Sequence, residues 1–145
     1  MDKLLDLERD GALYLRMPEI ASLTVDVFFH GAEKMQLYEL HAFVIMPNHV
    51  HILITPHVEL AKLTHSIKRF TAREANRILG LTGKRFWQDE SYDRLVRDHS
   101  EFQRIQRYIE NNPVRAGLVA TPEEYRWSSD GRRLEIGAQV IKLPH

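Results

Sequence analysis

The sequence contains no cysteine. That excludes a disulfide framework and any thiolate metal site, so a metal held by this chain rests on histidine, carboxylate or amide ligands. It also lacks a long apolar run. The longest is Ala42 to Met46, far short of the roughly 20 residues that span a bilayer. The acidic N-terminus does not read as a signal peptide, so no membrane association is expected and the expected location is the cytoplasm. No internal repeat, low-complexity tract or linker rich in Pro, Gly or Ser interrupts the 145 residues. One domain over residues 1–145 is therefore expected, and 43% hydrophobic content suits a core of ordinary size.

Net charge is absent as well: 20 Lys and Arg balance 20 Asp and Glu. A nucleic-acid partner usually leaves a basic signature, but here the average hides a segregation. Residues 1–59 carry four Lys/Arg against nine Asp/Glu, residues 60–115 carry twelve against seven, and the remainder carries four of each. Taken alone, the basic middle reads sooner as a solvated helix face than as an electrostatic footprint for phosphate.

Pro18 suits the first turn of a helix running to about Lys34, with Ile20, Leu23, Val27 and Phe28 at core spacing. Glu39–Met46 and His49–Thr55 are β-prone segments joined by Pro47 and Asn48, which predicts a hairpin. Strand alternation sends His49, His51 and Leu53 to one face and Val50, Ile52 and Ile54 to the other. A second helix starts near Leu60, with Leu63, Ile67, Phe70 and Ile78 on one face, Lys62, Lys68, Arg69, Arg73 and Arg77 around it, and Gly80 as its C-terminal cap. Arg85–Gln88 and Tyr92–Val96 read as two short strands. Ser100 with Gln103 forms a capping box for a third helix, which Pro113 is expected to close. On that helix Phe102, Ile105 and Ile109 face inward, while Tyr108 and Asn112 share a face one turn apart. Helices interleaved with hairpins predict an α+β sandwich on a mainly antiparallel sheet.

Two histidines separated by one strand residue leave the same face close enough to chelate one divalent ion. A bare His-x-His is more often a pair of surface histidines, and a helix tyrosine more often a packing residue. Tyr108 becomes a nucleophile if a Lewis acid polarises its electrophile, and Asn112 offers an oxygen ligand beside it. Such a mixed nitrogen and oxygen site with open positions suits magnesium or manganese better than structural zinc.

These residues resemble the REP-associated tyrosine transposases, relatives of the single-tyrosine transposases in the HUH endonuclease superfamily. The resemblance rests on Phe43-Val-Ile-Met-Pro-Asn-His-Val-His51, Phe86-Trp-Gln88, Tyr92-Asp-Arg94, Tyr108-Ile-Glu-Asn-Asn-Pro-Val-Arg-Ala-Gly117 and Trp127-Ser-Ser129. They occur in family order across most of residues 18–129. The resemblance implies a ferredoxin-like HUH sandwich that brings the tyrosine helix against the histidine strand. It implies that His49, His51 and Asn112 hold the catalytic metal and that Tyr108 attacks a DNA phosphate, cleaving and rejoining single-stranded DNA near hairpins of palindromic repeats through a 5′-phosphotyrosine. Lys62, Lys68, Arg69, Arg73 and Arg77 are then candidates for DNA backbone contact. Trp87 and Tyr92 are expected in the core, with stacking on unpaired bases as the alternative.

Family members carry an N-terminal strand rich in Thr, Phe and Arg ahead of the segment that begins here near Leu4. A truncated N-terminus is therefore expected, with a sheet short of its first strand and a bare edge. Three other readings stand beside the transposase. One is a domesticated or inactive DNA-binding protein on the same scaffold, the second is a metal-dependent hydrolase in which Tyr108 is structural, and the third is a structural remnant that does not fold alone.

Overall fold

The computed structural model describes residues 1–9, 13–89 and 91–131. The strands are β1 (Lys3–Glu8), β2 (Tyr38–Ile45), β3 (His49–Pro56) and β4 (Ser91–Leu95). The helices are α1 (Pro18–Glu33), α2 (Leu60–Leu79) and α3 (His99–Arg115). The sheet runs β2-β3-β1-β4 with every neighbouring pair antiparallel. This is the split βαβ arrangement of a ferredoxin-like fold, in which β3 lies between β1 and β2, and β1 between β3 and β4. None of the described helices is long and apolar enough to cross a membrane.

Helices cover both faces of the sheet. On one face Ile20, Val25 and Phe28 of α1 and Leu63 and Ile67 of α2 pack on Leu5, Leu7, Phe43, Val50, Ile52 and Ile54. On the other, Ile105 and Ile109 of α3 pack on Leu4, Ala42, Val44 and Leu53. Burial on both sides explains the nearly unbroken apolar run of β3, and His49 and His51 project on the α3 side with Leu53. One glycine lets α1 meet the sheet closely. A Cβ at Gly31 would lie 2.7 Å from Tyr38 Oη, and that hydroxyl donates to Phe28 O at 2.6 Å.

Four expectations are corrected. The acidic N-terminal segment supplies a strand after all: β1 lies inside the sheet, paired with β3 on one side and β4 on the other. No bare edge results there. Leu, Asp and Glu give this segment little intrinsic strand preference, and its conformation comes from pairing on both sides. Arg85–Gln88 forms no strand, because Phe86 and Trp87 both enter the same core, which the alternation of a strand forbids. Asp98, rather than Ser100, caps α3, its side chain accepting from Glu101 N at 2.8 Å. Pro113 does not close α3, since the helix continues to Arg115. A proline near the end of a helix removes a single donor, and the chain turns away at Gly117, whose φ is +76°.

The segment after α3 covers the outer edge of β2. Ile45 N donates to Trp127 O at 2.8 Å, Val44 bridges to Ser128, and Tyr125 Oη donates to Ile45 O at 2.6 Å. Trp127-Ser128-Ser129 is thus an edge-protecting device in this fold.

Candidate active site

The β1 and β3 register sets Asp6 opposite His51 and Glu8 opposite His49. His51 Nδ1 lies 2.5 Å from Asp6 Oδ1, and His49 Nδ1 lies 2.9 Å from Asn48 Oδ1. A carboxylate only accepts, so Nδ1 of His51 donates to Asp6, and Nε2 is the nitrogen left to face a ligand. The same logic leaves Nε2 of His49 as its ligand atom. Burial first, and the neighbouring His51 second, lower the His49 pKa below its ordinary value, while Asp6 opposes them. His49 is therefore neutral at pH 7, the state in which imidazole binds a metal.

The rings of His49 and His51 have centroids 4.9 Å apart, and the Tyr108 ring follows 5.7 Å from His51. Ile105 and Ile109 seat α3 on the sheet, which leaves Tyr108, between them on the helix, at the rim and 43% exposed. The Arg115 guanidinium stacks 4.2 Å from the centre of the Tyr108 ring. Asn112, one turn beyond Tyr108, is buried.

Among the described residues no three His, Asp or Glu side chains cluster closely enough to hold a metal unaided. Two imidazole nitrogens with fixed tautomers nonetheless fit an ion whose remaining positions go to an amide oxygen, water and phosphate oxygens.

The expected basic residues of α2 fall elsewhere. Leu63 and Ile67 bury the opposite sheet face, so the charged side of α2 points away from the tyrosine. Lys68 Nζ donates to Gln88 O and Asp89 O at 2.7 and 3.1 Å, and Arg73 and Arg77 both pair with Glu74. Trp87 is buried as expected, whereas Tyr92 is 52% exposed, paired across from Asp6 and hence on the site's own face. A pocket of about 630 Å³ opens beside the tyrosine, with Asp6, His51, Arg94, Arg97, Arg104 and Tyr108 in its lining. Sequence reasoning missed Asp6 and these three arginines. Assigning β1 as a strand would have shown that Asp6 faces the histidines, and the spacing of Glu101, Arg104 and Tyr108 marks one stripe of α3.

Four antiparallel strands with a histidine pair facing a tyrosine on a packed helix define a tyrosine transposase scaffold. The family model for IS200-like transposases matches residues 19–112, and the chain belongs to that family. No curated protein matches it. Among solved structures, the chain is similar to a REP-associated tyrosine transposase bound to a REP hairpin, with a TM-score of 0.72 and 19% identity over 94% of this chain and 80% of that one. It is also similar to a proposed transposase from Deinococcus radiodurans R1, with a TM-score of 0.56 and 24% identity over 77% of this chain and 89% of that one. At these identities the likeness concerns the fold.

Proposed function

We propose that this chain is a metal-dependent transposase that cleaves and rejoins single-stranded DNA at hairpin-forming palindromic repeats, with Tyr108 as the nucleophile. The observation that carries the proposal is the succession of rings His49, His51 and Tyr108 at 4.9 and 5.7 Å. A phenol at the rim of an imidazole pair whose Nε2 atoms are available for metal can reach a phosphate held there.

Tyr108 Oη attacks the phosphorus, the bond to the 3′ oxygen breaks, and that oxygen leaves as a hydroxyl, gaining one proton as the phenol loses one. The 5′ phosphate remains esterified to Tyr108. Attack by a free 3′ hydroxyl then breaks the phosphotyrosine bond and returns the proton to the phenol, so strands are rejoined without ATP. His49 and His51 through Nε2, and Asn112 through its amide oxygen, would hold magnesium or manganese, which when bound stabilises charge on the phosphoryl oxygens. Arg115 stacked on the Tyr108 ring helps to hold the phenol in place at the rim. Lys62, Lys68, Arg69, Arg73 and Arg77 would contact DNA backbone outside the reacting strand, as their position on the far face requires.

The test mixes the protein with labelled hairpin-bearing single strands and manganese and resolves the products on a denaturing gel. A manganese-dependent protein-linked band that disappears in Tyr108→Phe is expected. A folded protein that binds these strands and yields no adduct would instead be a DNA-binding protein on a transposase scaffold.

A further inference from the structure

The pocket beside Tyr108 combines a charge pattern and a shape that the nucleophile and the histidine pair do not account for. Its two acids are turned inward. Asp6 is engaged with His51, and the Glu101 side chain is only 6% exposed. Glu101 accepts from Arg97 Nη2 at 2.9 Å and from Arg97 Nε at 3.3 Å, while Arg104 Nη2 stands 3.7 Å away. Its cations face outward: the Arg97 and Arg104 side chains are 76% and 62% exposed, and Arg94 is exposed on β4. A guanidinium has five N–H donors, so Glu101 fixes Arg97 in place and leaves donors for a ligand at the opening. Three exposed cations around the buried Glu101 and the engaged Asp6 give the pocket an excess of donors for an oxyanion.

Position identifies the ligand. Tyr108 and His51 line the same pocket, and Arg104 sits one turn before Tyr108 on α3. Successive phosphates of a single strand lie on the order of 6 Å apart, about one helical turn in scale. We infer that Arg94, Arg97 and Arg104 seat the phosphate adjoining the scissile one on the strand that Tyr108 attacks. This rests on Tyr108 acting as nucleophile on DNA, and it assigns the backbone contact of the reacting strand to β4, α3 and the turn between them, apart from α2.

The test measures single-strand affinity against salt for the whole chain and for Arg94→Gln and Arg104→Gln, using oligonucleotides in which one phosphate at a time is replaced by a neutral methylphosphonate. Each substitution should weaken binding about tenfold and lower the salt slope by at most about 0.7, the contribution of one neutralised phosphate. In the unsubstituted protein one methylphosphonate next to the cleavage position should weaken binding comparably, and Arg104→Gln should reduce sensitivity at that position and at no other. Manganese affinity should be unchanged, which separates strand seating from damage to the histidine site. Unchanged affinity and slope in both variants, or a methylphosphonate penalty undiminished in both, would overturn the inference. Both binding readouts stand without catalysis. If the unsubstituted protein forms no covalent adduct but the arginine effects appear, the nucleophile assignment fails and the strand seat survives.

Discussion

Asp6 and His51 face each other across β1 and β3, with Oδ1 and Nδ1 2.5 Å apart, and the contact fixes which imidazole nitrogen is left for a metal. Partners of this kind usually contribute 10–100-fold to metal affinity (about 1.4–2.7 kcal/mol) by orienting the ring and raising its basicity. Asp6→Ala is therefore expected to weaken manganese binding about 10–100-fold, read by electron paramagnetic resonance of the free ion. The circular dichroism spectrum should be unchanged, because Asp6 is part-exposed and its neighbours Leu5 and Leu7 carry the packing. Unaltered manganese affinity would mean that the tautomer of His51 is set without Asp6.

Arg115 stands over the face of Tyr108. A cation stacked there orients the ring, and at a partly exposed site such an interaction is worth about 0.5–1 kcal/mol, or about two- to fivefold in rate. Arg115→Ala should slow adduct formation by that factor at saturating DNA. Arg115→Lys should recover part of the loss. A rate that falls only through weaker DNA binding would make Arg115 a strand contact instead.

Much of this architecture was legible where local pattern and tertiary structure agree. The alternation of His49 to Ile54 placed the histidines on one face, and Ile105 and Ile109 identified the packed side of α3. What remained hidden depends on pairing between distant segments. Lys3–Glu8 has the composition of a helix or a loop, and only the register with β3 and β4 makes it a strand. The Asp6 contact and the arginine pocket follow from that register. The aromatic richness of Arg85–Gln88 suggested a strand, whereas Phe86 and Trp87 anchor a loop to the core side by side. Charge counting favoured α2 because its cations are dense in sequence, yet the arginines beside the tyrosine come from β4, α3 and the turn between them.

Gly31 and Tyr38 should behave as a coupled pair. A methyl at Gly31 would meet Tyr38 Oη at 2.7 Å, and the ring is buried with its hydroxyl bonded to Phe28 O. Better helix propensity would favour Gly31→Ala by about 0.8–1 kcal/mol, but overpacking costs about 1–3 kcal/mol. A net loss of about 1 kcal/mol is expected by urea denaturation. In a Tyr38→Phe background the clash is relieved and the same substitution should cost less, giving a non-additive cycle. Additive effects would show that Tyr38 does not set the close approach of α1 to β2.

Acid should unlock the start of α3. Hydrogen bonds from the Arg97 side chain, then from its backbone, hold the Glu101 carboxyl below its ordinary value of 4.5. A group depressed in the folded state stabilises the fold fully above its unfolded pKa, and that stabilisation is lost as pH falls through the folded value. Tm should therefore decline below about pH 4.5 more steeply in the unsubstituted protein than in Glu101→Gln, which cannot titrate there. Near neutrality the order reverses: Glu101→Gln should be the less stable of the two, since it keeps the Asp98 cap but loses the ionic bond to Arg97. Thermal melts from pH 3 to 7 decide the matter, and parallel curves for the two proteins would show that Glu101 does not couple the fold to pH.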